Sequence, residues 1–380
     1  MAEASVVTDS VEDHVTVGDG IAQLAEAVGL PLGLGYFLAW SILAFALVGF
    51  VLGVGGIMSY VMRKFMARVQ SRIGPNRVGP YGLLQFLADG IKLMSKEDIT
   101  PLKADRWLFR MAPFLVILPI ILSFAPIPFG PGILVADLRV GLLFILAVGA
   151  VAPVGEIVAA WASNNKYSMM GGLRAAALDV AYGVPLVLAA VGVVILTSAL
   201  VPGSGLNTLN IVEAQRQSVW FILLQPLGAF IFFAAALAKA GIVPMDLPEA
   251  ESELVAGYFT EYSGMRFGVF FVGVFVNIVF VSMMTVLLFF GGWHLPFVEE
   301  VVTGVLGASY WTPVVLGILG LGIFLGKTSF FVLFVLLTWF TLPRLRIDQF
   351  LAVSWKALFP LAVLSLVLAV AEAYVLSGGI

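Results

Sequence analysis

The stretch FGVFFVGVFVNIVFVSMMTVLLFF, residues 267–290, carries no charge and only three polar side chains. As an α-helix it would rise about 36 Å, enough to cross roughly 30 Å of hydrocarbon. Runs of this kind recur along the chain, and they restrict the fold more than any other feature. In lipid a backbone must satisfy its own N–H and C=O groups, which leaves helices and closed barrels. A barrel needs strands that alternate apolar and polar residues, and that alternation is absent. The sequence therefore specifies an all-α, polytopic membrane protein. Apolar length places eight spans, at about 35–61, 111–129, 140–161, 178–200, 219–238, 267–291, 312–340 and 357–377. They form a bundle of about eight transmembrane helices in a single domain over 31–380, joined by long loops at about 62–110, 162–177, 239–266 and 341–356. Gly49, Gly53 and Gly56 in the first span suit close helix packing.

Charge sets the expected orientation. Of the 20 Lys and Arg, 17 fall at the loop end made by those four segments, Arg139 and Arg216 lie at the other end, and Lys327 lies within a span. By the positive-inside rule the basic end is cytoplasmic, and both termini face the outer side of the cell (inner) membrane. Residues 1–30 hold Glu3, Asp9, Glu12, Asp13, Asp19 and Glu26 with no Lys or Arg. They read as an acidic N-terminal extension rather than a secretory signal, which would start basic.

Several chemistries are excluded. The chain has no cysteine and only two histidines, His14 and His294. Disulfides, thiolate metal sites and iron–sulfur ligation are ruled out, and no metal site is expected. Both histidines read as solvated loop residues. No basic patch stands apart from the membrane flanks, so nucleic acid is not an expected partner, whereas the lipid bilayer is. No internal repeat is evident, which argues against a stand-alone transporter built on inverted repeats.

Two loops carry the chemistry. The first contains 74-GPNRVGPYG-82, a turn-forming block richer in Gly and Pro than a surface loop requires. After it, Leu83, Leu84, Phe86, Leu87, Ile91, Leu93 and Met94 alternate with Asp89, Lys92 and Lys96, the pattern of a short amphipathic helix at the interface. The second is 244-PMDLPEAESELVAGYFTEYSG-264, with Asp246, Glu249, Glu251, Glu253 and Glu261 and no evident counter-charge. Glu249 and Glu253 are four apart and would share a helix face. Apolar and aromatic neighbours (Leu247, Leu254, Tyr258, Phe259, Tyr262) suggest a partly buried loop, where burial beside like charges would raise carboxylate pKa values.

The strings ARVQSRIGPNRVGPYGLLQFLADGIKLMSKEDITP (67–101), WASNNKYSMMGGLRAAA (161–177), DLPEAESELVAGYFTEYSGM (246–265) and TLPRLRIDQF (341–350) closely resemble one family. It is the quinone-site membrane subunit, called H in bacteria, of the proton-pumping NADH–quinone oxidoreductase, respiratory complex I. The resemblance runs from about residue 40 to the C-terminus. It implies eight tilted helices whose loops dock a peripheral arm and supply the portal and lower wall of a quinone chamber. Quinone is then the substrate, other complex I subunits are the partners, and iron–sulfur clusters, FMN and NADH belong to those partners. The chain makes no chemical step alone. Matched by position, Arg63, Arg72 and Arg77, with Lys64 and Gln70, belong to the first loop, and Asp246, Glu249, Glu251, Glu253 and Glu261 to the acidic loop. The resemblance gives the acids the task of linking quinone reduction to proton movement, and the guanidinium groups would hold acidic partners or charged quinone intermediates.

The chain departs from the family in its acids. Met62 stands before Arg63-Lys64 where a Glu is usual, Gly183 follows Tyr182 where a Glu is usual, and Val274 takes the place of another. Lys239 and Ile242 occupy the positions of a Glu and an Arg, and Met245 replaces Phe. In exchange there are two unexpected acids, Glu156 and Asp179. Intramembrane charges are costly and usually paired, so Lys239 is expected to pair with Glu156 or Asp179 in a rewired polar network. A second functional reading is kept beside quinone work: a structural membrane anchor in a related hydrogenase or ferredoxin-linked complex.

Overall fold

The apolar runs are helical in a computed structural model, which describes residues 31–201, 203, 205–296, 298, 302 and 312–377. The acidic extension over 1–30 lies outside the described residues. In chain order the helices are α1 (Leu32–Val69), α2 (Gln85–Ser95), α3 (Arg106–Ser123), α4 (Gly141–Gly149), α5 (Ala152–Ala162), α6 (Lys166–Leu200) and α7 (Thr208–Gln217). They continue as α8 (Phe221–Leu224), α9 (Pro226–Lys239), α10 (Glu251–Leu254), α11 (Gly264–Phe289), α12 (Thr312–Thr341), α13 (Ile347–Val353) and α14 (Phe359–Leu376). Among the described residues an isolated bridge between Gly130 and Ile133 is the only β pairing. The chain is an all-α polytopic membrane protein.

Among the described residues, seven segments are long and apolar enough to cross a bilayer: Gly33–Val69, Arg106–Ser123, Gly141–Ala162, Lys166–Leu200, Gly264–Phe289, Val315–Thr341 and Ile347–Leu376. The fifth expected span, 219–238, is not among them and is interrupted. Gln225 leaves the helical region (φ −123, ψ 61) between α8 and α9. The cause is Pro226, which lacks an N–H and pushes the preceding residue out of the α conformation. The Gln225 amide fills the break by donating to Ser365 on α14, 3.0 Å to the hydroxyl. The span at 140–161 is likewise split, at Ala150–Val151, and Pro153 lies in the first turn of α5.

Three boundaries move for local reasons. The second span starts at Arg106 rather than 111, because the Asp105 carboxylate accepts from the backbone N–H groups of Trp107 and Leu108. It ends at Ser123, and Pro126 and Pro128 follow. α6 starts at Lys166 rather than 178, capped by the Asn165 side chain. Much of the expected second loop is therefore helix. α14 is preceded by a π-helical turn over Ser354–Leu358, from which the Ser354 hydroxyl donates to the Ala181 carbonyl of α6.

Lipid removes most of the hydrophobic drive between spans, so they associate through close packing of small residues. Gly155 lies on the backbone of α3 at Leu115–Val116, and Gly172 lies on Ala160. On α1 the expected contact holds for Gly56, which meets the Phe86 ring, and Gly55 meets Val272 and Val276. Gly49 and Gly53 face open space, so they do not serve packing within the described chain. The amphipathic helix forms as read, as α2. Phe86 and Leu93 turn inward onto Gly56 and Gly268, while Leu87, Ile91 and Met94 remain exposed. α11 crosses the centre of the bundle, packed by α1, α3, α9 and α12.

Candidate functional site

The acidic segment finds its counter-charges in loops distant in sequence. Arg344 of the fourth loop donates to Asp246 at 2.7 Å, and the Leu345 N–H donates to the Pro244 carbonyl at 3.0 Å. Arg174 on α6 donates to Glu253 at 2.5 Å, and the Asn165 amide donates to Glu261. The Ser168 hydroxyl donates to the Tyr258 carbonyl at 2.9 Å. From the first loop, the Ile99 N–H donates to Ser263 Oγ, and Asp98 pairs with Arg266 at 2.6 Å. Tyr262 stacks on Phe109 of α3, with ring centroids 4.0 Å apart.

The backbone here is tightly constrained. Gly257 (φ +58) lies so close to the Pro248 carbonyl that a Cβ would collide with it, and Gly171 of α6 lies against the Gly257–Tyr258 backbone. That crowding keeps the loop from continuing as helix, so α10 spans only Glu251–Leu254. Glu249 therefore lies outside it, and the expected helix face shared by Glu249 and Glu253 does not form. Glu253 turns out to Arg174, whereas Glu249 accepts from the Tyr258 hydroxyl at 3.4 Å. Burial first, then the Glu156 and Glu249 carboxylates, push the Tyr258 phenol well above its ordinary pKa, so it stays a proton donor to Glu249. The backbone of Glu251 is described, but its side chain is outside the described set.

The first-loop residues form a separate group. Arg63 pairs with Asp89 of α2 at 2.5 Å, and Lys92 approaches the same carboxylate at 3.3 Å. Burial alone would raise the pKa of Asp89. The hydrogen bond and charge of Arg63, with Lys92 and Gln85, outweigh burial and hold it below the usual value. Arg72 donates to Gln70 at 2.7 Å. Arg77 is exposed on the Gly-Pro block. That block needs its glycines: Gly79 and Gly82 have φ of +73 and +82, and a Cβ on Gly82 would strike the Pro75 carbonyl. Among the described residues, Arg63, Arg72 and Arg77 make no ion pair or hydrogen bond with the acidic loop, so the predicted site divides into two clusters at one end of the bundle.

A third cluster lies inside. A cavity of about 50 Å³ is walled by Glu156, Tyr182, Lys239, Glu249, Tyr258 and Asn277, and Ser123, Gly149, Val274 and Phe280 are among the rest of its lining. At roughly 15 Å³ for each water it has room for about three. It forms where the α4–α5 break, the end of α9 and the acidic loop meet α11. Lys239 makes no direct ion pair with Glu156 or Asp179 among the described residues, contrary to expectation. It lies within the electrostatic reach of Asp179, and its ammonium is 5.9 Å from the Phe280 ring centroid. Asp179 stands one turn before Tyr182 on α6 and does not line the cavity. The geometry thus joins Glu156 and Lys239 to Glu249 through shared space rather than through a salt bridge.

The sequence left Asn277 unmarked and showed Lys327 within a span without its role. Asn277 is the lone amide of α11, and its Nδ2 donates to the Lys239 carbonyl at 2.9 Å; an amide inside an apolar span was the available signal. Lys327 in mid-span donates to the carbonyls of Phe290, Gly292 and His294 at 2.7, 3.1 and 2.6 Å, with the Trp220 ring centroid 4.6 Å away. It closes the C-terminus of α11, the helix end that favours a cation. A family model described as NADH dehydrogenase matches residues 41–370, which covers all three clusters.

Proposed function

The chain belongs to the NADH dehydrogenase family, and from that premise we propose that this complex I-type membrane protein is the quinone-site component of its complex. In this reading it supplies the lower wall of the quinone chamber and couples quinone reduction to proton translocation. Its partners are the other complex I subunits. NADH, FMN and the iron–sulfur clusters are held by those partners, and quinone is the substrate that this chain helps to seat. The basic end faces the cytoplasm and the peripheral arm, across the cell (inner) membrane.

One observation carries the coupling role. Glu249 belongs to the acidic loop and also walls the interior cavity with Glu156 and Lys239. A charge change at a quinone headgroup beside the loop is therefore felt within the bundle. A unit charge appearing ~10 Å from Glu249 changes its energy by ~1.7 kcal/mol at an effective dielectric of 20. That exceeds the 1.36 kcal/mol equivalent to one pKa unit, so it changes the proton affinity of the carboxylate by more than tenfold. The anchoring pairs, Arg344–Asp246 and Arg174–Glu253, hold the loop so that such a change acts on its charge rather than its position.

The test is photoaffinity labelling of the purified complex with a quinone analogue. Adducts within 63–110 and 239–265 are expected. No labelling of either segment would leave the alternative, a structural anchor in a hydrogenase or ferredoxin-linked complex.

A further inference from the structure

Lys239 is an unusual lysine for its position. It is the last residue of α9, and a lysine at a helix end in a membrane ordinarily extends its ammonium to water at the interface. Here it is turned into the cavity, and several features hold it there. Asn277 pins its carbonyl. Ala240 and Gly241 (φ +66) turn the chain away after it. The Phe280 ring lies near the outer limit of a cation–π contact. Gly149, at the end of α4, supplies the space: a Cβ on Gly149 would collide with the Lys239 Nζ. Among the described residues no side-chain or backbone oxygen accepts a hydrogen bond from Nζ. Its three N–H groups are left to the water that the cavity can hold.

Two carboxylates confined in one cavity cannot both ionise without a counter-charge. Among the groups that line the cavity, a charged Lys239 lets Glu156 and Glu249 both ionise at a net charge of −1, and protonation of either brings that sum to zero; Asp179, outside the lining and within reach of Lys239, adds one negative charge when it is ionised. Without Lys239 the same lining sums are −2 and −1. We propose that Lys239 is a positioning residue for coupling: its hydrated ammonium sets the cavity charge so that Glu249 and Glu156 can share one exchangeable proton. In that exchange an O–H bond to a cavity water breaks as one forms at a carboxylate oxygen, and the reverse occurs at the other carboxylate. This inference rests on the coupling reading above and specifies the group that tunes it.

The experiment uses the assembled complex in proteoliposomes, with Lys239→Met, Lys239→Arg and Gly149→Ala. Protons moved per quinol are measured, together with the carboxyl signal in the infrared difference spectrum between quinone and quinol states, assigned by Glu156→Gln. Lys239→Met is expected to lower the proton ratio at least twofold and to remove or shift the carboxyl signal, and Lys239→Arg to restore over half of the ratio. Gly149→Ala, which keeps the lysine but takes its space, is expected to lower the ratio with normal assembly. A wild-type ratio and an unshifted signal in Lys239→Met would overturn the inference. If that variant does not assemble, a wild-type ratio in Gly149→Ala overturns it instead. A wild-type complex that reduces quinone without moving protons overturns this inference and leaves the quinone chamber standing, whereas absent quinone-analogue labelling removes the chamber itself.

Discussion

Among the residues of the acidic loop, the structure separates carboxylates that look equivalent in the sequence. Glu253 is about half exposed (48%) and paired with Arg174, and an exposed pair contributes at most about 1 kcal/mol. Glu249 faces the cavity and Tyr258. Glu249→Gln should slow quinone reduction by about tenfold, equivalent to 1.4 kcal/mol, and Glu253→Gln by less than threefold, both measured as quinone-dependent NADH oxidation by the purified complex. Unchanged rates in both would remove these acids from the mechanism. Asp89 gives a pH prediction. Its pKa is lower in the folded chain than in the unfolded one, so its contribution is complete above the unfolded value of roughly 3.9 and is lost as pH falls through the lower folded value. Thermal stability should show this acid-side loss, and Asp89→Asn should remove that part of it. The individual acids were legible in the sequence, but their partners were not. Arg344 is 98 positions from Asp246, and nothing local announces the pair.

Among the helices, hydropathy located the spans but not their interruptions. Gln225 and the Ala150–Val151 break sit inside runs whose average polarity is low, and the signal was the proline that follows each, Pro226 and Pro153. Prolines are tolerated in membrane helices, so a proline alone did not distinguish a break from a bend. Lys327 could be seen as a charge within a span, but its purpose lies in the end of another helix. It satisfies three carbonyls at the close of α11. Lys327→Met should cost about 1.5–3 kcal/mol for each hydrogen bond lost from the charged donor. The expected result is a fall of several degrees in the thermal midpoint of the complex in detergent, with quinone-analogue labelling of the loops retained. A midpoint equal to wild type would show that water replaces the ammonium without loss.

At the scale of the whole molecule, the loop end is tied together by contacts among all four basic segments, and orientation is the property most directly open to measurement. The chain contains no cysteine, so single introduced cysteines report position without background. Ser71 and Gln217 are both exposed, the first beyond α1 at the basic end and the second at the end of α7. A membrane-impermeant maleimide added to intact cells should label Gln217→Cys, and should label Ser71→Cys only after permeabilisation. The reverse pattern would invert the assigned topology. Fold class was legible because lipid leaves a chain few options. The cavity was not, since it depends on how α4, α9, α11 and the acidic loop meet, and pattern along the chain carries no such depth.

The clamp on the acidic loop also has a history in time. A chain inserts from its N-terminus as it is synthesised, so Glu253 and Glu261 meet Arg174 and Asn165, which are already in place, as soon as the loop emerges. Asp246 must wait for Arg344, and that residue follows α12. The Arg344–Asp246 tie can therefore close only once the penultimate span has been made. The ties from the fourth loop are thus the last that synthesis can supply.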